Sequence, residues 1–399
     1  MTSRLRKKFH ATRYGVVLLV AGCAATPAPE PEPEPPDTTA PAAVHAPEPR
    51  PVPTPPPPPP PPPKASKRIT FAAVGDMMLG TDFPENHLPD DDGLGFLAEV
   101  APVLRSADVA IGNLEGVLVD GGEPAKKCSN PQACYLFRSP SRYVEHYRNA
   151  GFDVMSLANN HARDFGDEGR VASMQTLAAA GILHSGLESD FATFEFDGLK
   201  IAVMAYAVTR NSNMLLDYDL ARATVAGFAG THDIVVVTFH GGAEGDNVTS
   251  LPFAEEEYFN EPRGDVVKFS RMMVDAGADF VFGHGPHVVR AMENYEGRLI
   301  AYSLGNFATY YGISVQGIRG MAPILEVTLD GNGVFVEGRI HSTEQIRPAG
   351  PSMDPGQKVL RLIERLSLED FGSPGILFRD DGAIEPAPRQ SVRALTDTW

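Results

Sequence analysis

Seven residues in this chain carry side chains suited to hold a cation or move a proton: Asp76, Glu115, Asn160, His161, His240, His284 and His287. They are oxygen and imidazole donors, and no thiolate is among them. That mixture suits hard or borderline divalent ions, namely Mn, Fe, Zn or Mg. Carboxylates bridge and neutralise, imidazoles give directional bonds, and an Asn carbonyl completes a shell without adding charge. Two ions held close together clamp a phosphoryl group and generate a hydroxide nucleophile, while a neighbouring His donates a proton to the leaving group. Each residue also has a plainer role open to it. Asp76 after Gly75 closes a turn, and Glu115 sits at the surface. Asn160 and His161 cap a following helix. His240 is a core histidine, and His284 and His287 line a turn forced by Gly285-Pro286.

What weighs against the plainer roles is position. The chain alternates strand-like and helix-like stretches, which implies an α/β architecture. Ile69 to Val74 reads as a strand ending at Gly75-Asp76, and Asp108 to Ile111 as one ending at Asn113-Leu114-Glu115. Phe152 to Leu157 ends at Asn159-Asn160-His161, Ile234 to Phe239 at His240, and Phe280 to Phe282 at Gly283-His284-Gly285-Pro286-His287. Five apolar strands therefore stop at small polar clusters. Ligands of α/β sheets bind outside the carboxyl ends of strands, so residues far apart in sequence are expected to meet there. Helices are expected over 141–150, 169–180, 266–276 and 358–366. Hairpins are expected at Asp197-Gly198 and Asp330-Gly331-Asn332-Gly333.

The same segments carry a resemblance. Gly75-Asp76-Met77-Met78-Leu79-Gly80, Asn113-Leu114-Glu115, Ser156-Leu157-Ala158-Asn159-Asn160-His161 and Asp164-Phe165-Gly166 resemble the CapA-type capsule-synthesis family associated with poly-γ-glutamate. So do Gly277-Ala278-Asp279, Gly283-His284-Gly285-Pro286-His287 and Ile300-Ala301-Tyr302-Ser303-Leu304-Gly305-Asn306-Phe307, across residues 69–308. The resemblance implies a metallophosphoesterase-like sandwich of two β-sheets flanked by helices. By position, Asp76, Asn160, His240, His284 and His287 would bind metal, His161 would contact a transferred phosphoryl group, and Glu115 would occupy the bridging-acid region. The pattern also departs from ordinary metallophosphatases: Met78 replaces the His of Asp-x-His, and Gly112-Asn113-Leu114-Glu115 replaces Gly-Asp-x-x-Asp. Gly241 stands where relatives carry Trp, and Gly285 where they carry a second His. Lost ligands leave one ion or none, so two readings stay open: a metal-dependent hydrolase or transferase, and a non-catalytic protein that binds or assembles an acidic exopolymer. The expected partners are that polymer or its biosynthetic machinery.

The flanks define the compartment. Residues 1–22 read as a signal peptide: Arg4, Arg6, Lys7, Lys8 and Arg13 precede an apolar run too short to cross a bilayer. Val20-Ala21-Gly22-Cys23 looks like a lipobox, so Cys23 is expected to carry the lipid that anchors the protein to the membrane of a bacterial cell envelope, the outer one if the host is Gram-negative. Residues 23–67 are a proline-rich linker, unbroken proline from Pro55 to Pro63, with almost nothing to bury. Extended, it spans on the order of 100 Å. Residues 68–345 form the catalytic-type domain, and 346–399 a C-terminal extension with one helix and loops. Cys128 and Cys134 bracket a polar loop and are expected to close a disulfide in an oxidising compartment. The total charge of −17 leaves −20 for residues 68–399. So acidic a domain is unsuited to nucleic acid, whose binding needs phosphate neutralisation.

Overall fold

The computed structural model describes residues 64–125 and 135–388. The signal peptide, Cys23, most of the linker, and Cys128 with Cys134 lie outside the described residues. Within them, two β-sheets pack face to face and helices cover the outer faces, the sandwich that the family resemblance implies.

The central strand of the first sheet, Arg68–Met78, is buried on both faces and therefore apolar almost throughout. Ile69, Phe71 and Ala73 enter the core between the sheets, whereas Ala72, Val74 and Met77 join a second core beneath the helices. This period of two fixes its facing. Val109–Leu114, Val154–Ser156 and Leu183–Ser185 continue the sheet in parallel on one side. On the other side Met321–Asp330 pairs antiparallel, followed by Phe335–Gln345. Asn306–Thr309 runs parallel to the last residues of the central strand. That close approach requires Gly75, because a Cβ there would stand 1.9 Å from the Gly305 carbonyl oxygen.

In the second sheet Leu199–Ala207, Ile234–His240, Phe280–His284 and Arg298–Ala301 are parallel. Ala192–Phe196 and Met292–Tyr295 are its antiparallel edges. The expected Asp197-Gly198 hairpin is present, both residues having positive φ as a two-residue turn demands. Phe71 meets Phe280 across the sandwich, ring centroids 6.4 Å apart. Helices Ala101–Ser106, Val144–Ala150 and Gly166–Ala179 cover the first sheet through Leu104, Tyr147 and Leu177. Val266–Asp275 covers the second through Phe269, which packs edge-on against Phe239 at 5.6 Å.

Two regions differ from the sequence reading. Tyr218–Ala229 is a helix capped by Asp217, whose carboxylate accepts from the Leu220 amide. Alanine and glycine supply much of it, so no broad apolar stripe announces it. After residue 346 the helix runs over Lys358–Phe371, and segments expected as loop form short strands Pro351–Met353, Ile376–Phe378 and Ala383–Pro386. All three join the first sheet. Runs of three or four residues are below the length at which alternation can be read. Among the described residues no helix is long and apolar enough to cross a membrane.

Candidate metal centre and cleft

Parallel pairing within each sheet sends the carboxyl ends of its site-bearing strands in one direction, and at that rim the two sheets bring their polar clusters together. Asp76 closes the central strand; Asn113 lies opposite it in register, with Glu115 two residues on. His240 and His284 end neighbouring strands and are also in register. His287 follows in the turn with a left-handed φ of 61°, a conformation costing a non-glycine residue roughly 1–2 kcal/mol. That backbone places its ring between Asp76 and Asn306.

Asp76 is fully buried and stands at the centre. Its Oδ1 accepts from Asn113 Nδ2 at 2.9 Å and lies 3.4 Å from His284 Nδ1. Its Oδ2 lies 3.0 Å from His287 Nδ1 and 3.4 Å from the Gly285 amide nitrogen, which donates to it. His240 Nδ1 and His284 Nδ1 face each other at 3.1 Å. Donors sharing one ion at about 2.0–2.1 Å stand about 3.4 Å apart at a tetrahedral angle, so these spacings fit. Asp76, His240 and His284 form one set of converging donors, and Asp76, Glu115 and His287 a second that shares the aspartate.

Unmet polar atoms also cluster around Asp76. Both oxygens of Glu115, Asn160 Oδ1, His240 Nε2 and His284 Nε2 are buried without a hydrogen-bond partner among the described residues. Such groups cost about 1–3 kcal/mol each. His240 is thus a buried histidine with Nδ1 partnered by His284 and Nε2 unmet among the described residues. Asn160 does not cap a helix: the next one, Gly166–Ala179, has no side-chain cap.

Electrostatics separates the groups. Burial alone would raise the Asp76 carboxyl, but His287, with help from His284 and His240, holds it below the ordinary carboxylate range. Burial and the charge of Asp76 push Glu115 well above that range. Burial, reinforced by His284, drives the His240 pKa down; burial also brings His284 down to about 4 against the pull of Asp76. Both rings are therefore neutral at pH 7, the form that offers a lone pair. His287 goes the other way. Burial opposes its cation, yet Glu115 and Asp76 raise it to about 10.

A cleft of about 280 Å³ opens onto this cluster, and Asn160, His161, Glu244, His287 and Arg319 are among its lining residues. His161 Nδ1 is 2.7 Å from Asp164 Oδ2, which also accepts from the Phe137 amide at 2.8 Å. The imidazole stacks on Phe137, centroids 4.2 Å apart. All seven residues singled out from the sequence thus lie in or beside one site. Asn113, Asn159, Asp164, Asn306 and Glu244 were given no role there. Asn159 donates to Asn113 Oδ1 at 3.0 Å and to the Leu114 carbonyl at 2.9 Å, and Asn306 Oδ1 lies 2.8 Å from His287 Nδ1. The first four fall inside the quoted motifs. Glu244 gave no signal beyond lying four residues after His240.

Comparison with known proteins gives the following likenesses. A capsule biosynthesis protein CapA of Bacillus anthracis is 27% identical, covering 61% of this chain and 60% of its own. The PGA biosynthesis protein CapA of Bacillus subtilis is 28% identical, covering 59% and 61%. The chain therefore spans about three fifths of the length of these relatives. A probable polyglutamine synthesis accessory protein of Mycobacterium tuberculosis is 26% identical over 72% of this chain and 79% of its own. Among solved structures, a hypothetical protein of Thermus thermophilus superposes with a TM-score of 0.43 at 16% identity, over 70% of this chain and all of that one. A putative 5'-nucleotidase of Staphylococcus aureus gives 0.41 at 15%, over 75% and 58%. The family model for the bacterial capsule synthesis protein PGA_cap matches residues 70–311, well over half of the sequence, and the chain belongs to that family.

Proposed function

We propose that this protein is a cell-envelope component of capsule or poly-glutamate-type exopolymer biosynthesis, acting as a metal-dependent hydrolase or transferase at the cleft. The observation that carries the reading is the convergence of buried carboxylate and imidazole donors on Asp76, beside a Glu115 carboxylate with neither oxygen partnered. Asp76, His240 and His284 would hold one ion, with Asp76, Glu115, Asn160 and His287 available to a second. Bound there, divalent ions would polarise a phosphoryl or carbonyl oxygen and lower the pKa of a water.

The remaining roles belong to the chain's own groups. Asp164 orients His161 through Nδ1, which leaves Nε2 as the atom that holds a proton for a leaving group. Phe137 fixes the plane of that ring. Asn113 and Asn159 hold Asp76 in place by a chain of amide hydrogen bonds. Cys23 would supply the lipid anchor and the proline-rich segment the reach from the membrane, so that the domain meets the polymer or its synthesis machinery outside the cell.

The test is metal content and turnover together. The purified protein should retain stoichiometric Mn, Fe or Zn and hydrolyse an activated phosphodiester, and His161→Gln should remove turnover while leaving metal content intact. No metal and no turnover on Mn or Zn addition would defeat the reading. A second reading, polymer binding without hydrolysis, is favoured by Met78, Asn113 and Gly285 at positions where metallophosphatases carry ligands. It requires metal-independent retention of the polymer.

A further inference from the structure

The cleft continues beyond the donor cluster. Gly312 and Ser314 line it and also line a larger cavity of about 660 Å³ that extends to Arg347. At Gly312 the divide between the two carries no side chain; its φ of 78° and a Cβ position 2.5 Å from the Phe137 ring keep it so. Arg347 is fixed at the far side. Its Nε and Nη2 donate to the Thr309 carbonyl at 3.4 Å, and Nη2 also donates to the Ile313 carbonyl. Among the described residues Nη1 has no partner, and no carboxylate pairs with this arginine. We propose that this cavity binds a stretch of an anionic linear polymer whose reacting unit lies in the cleft, with Arg347 taking a side-chain carboxylate of that chain.

Charge is the first support. At the cleft end Arg319 already pairs with Asp246, whereas Arg347 keeps its charge uncommitted. The acid among the residues lining the larger cavity, Glu344, is neutralised by Lys358 Nζ at 2.6 Å. Within a strongly acidic domain the cavity therefore presents a free guanidinium edge, and such an edge binds carboxylate through charge-assisted hydrogen bonds. Geometry is the second support. Thr309 ends the strand that begins at Asn306, the residue against His287. Gln345 clamps that end: its Oε1 accepts from the Thr309 amide and its Nε2 donates to the Thr309 carbonyl, both at 2.9 Å. Asn306 holds the other end, donating through Nδ2 to the carbonyls of Ser314 and Arg319 at 3.2 Å. At about 3.3 Å per residue the two ends stand about 10 Å apart, so one strand sets the spacing between the reacting position and the carboxylate position. A single small acid does not bridge that gap; roughly three extended residues of a chain do.

The inference rests on the reading of the cleft as the place where the polymer reacts, and its test separates the two. Fluorescence anisotropy follows a labelled γ-glutamate octamer on the purified full protein, with free glutamate and polyphosphate as competitors. Wild type should bind the octamer about tenfold or more tightly than free glutamate, because two linked positions hold one chain. Arg347→Gln should weaken the octamer by about tenfold or more, the factor for one charge-assisted hydrogen bond, and Arg347→Lys should recover part of the loss. Since Arg347 also bonds two carbonyls, a second variant probes the path without touching it: Ser314→Glu sets a carboxylate in the divide and should weaken the octamer too. Wild-type octamer affinity in Ser314→Glu, or in a folded Arg347→Gln, would overturn the assignment and leave the cleft reading intact. Free glutamate that competes unit for unit, or an Arg347-dependent affinity for polyphosphate without one for the octamer, would do the same. Wild type that turns over the activated phosphodiester yet ignores the octamer overturns the polymer cavity alone, and failure of both measurements overturns both readings.

Discussion

Asp164→Asn isolates the group that positions His161. In the structure Asp164 is fully buried, and one oxygen, Oδ2, accepts from both His161 Nδ1 and the Phe137 amide. An asparagine keeps the shape and can place its carbonyl oxygen at the same point, so neither bond disappears; both lose the carboxylate charge. Hydrogen bonds to charged groups contribute about 1.5–3 kcal/mol and neutral ones about 0.5–1.5. Two such downgrades give a loss of about 2–3 kcal/mol. At this chain length that corresponds to about 3–5 °C in Tm. Differential scanning calorimetry, backed by urea titration, measures it. Nitrogen-detected NMR of the imidazole gives the independent readout, because the weaker acceptor releases the Nδ1–H tautomer that the carboxylate holds. Unchanged stability together with an unchanged His161 tautomer would refute the argument that Asp164 orients this ring.

Asp279 gives a pH-dependent case remote from the metal donors. Burial raises its pKa to about 6 although the Val235 amide donates to it and Arg298 lies beside it. A carboxyl raised on folding binds its proton more tightly in the native state, so native stability should fall as pH climbs from about 4 to 6 and level off above. Asp279→Asn should flatten that segment of the stability–pH curve; parallel curves would contradict it. Gly75→Ala should destabilise the fold by more than about 3 kcal/mol, since its Cβ meets backbone at 1.9 Å. Near-normal soluble yield and Tm would sink that expectation. Chelation should lower Tm by about 5 °C if the ion is normally present at about a hundred times its Kd, and re-added Mn or Zn should restore it. A melting curve indifferent to chelator would refute a stabilising metal.

How far the sequence could be read follows from what each residue signals locally. The strands that bear the site are long apolar runs ended by polar residues, and both the runs and their terminal clusters are visible without a structure. Asp76, His240 and His284 are found in this way because strand direction alone carries them to one rim. Glu244 is not. Its place depends on a loop conformation set by Arg290 and Glu256, residues 46 and 12 positions away, and nothing local encodes that clamp. Asn113 is a subtler case. It stands in the segment that replaces Gly-Asp-x-x-Asp, and both ends of its amide are occupied, by Asp76 and by Asn159. The short strands after residue 350 escape notice because they gain stability from the sheet edge they join and not from a pattern of their own.

His287 reaches Asp76 across 211 residues of chain. No fragment made early in synthesis can therefore hold the complete donor cluster, and the imidazole that comes last takes up its costly backbone state only once its partners are in place. Any resident ion would be captured after both sheets have closed, from whatever ions surround the protein at that moment. Metal identity in this chain would thus be settled less by the donors themselves than by the compartment in which folding ends.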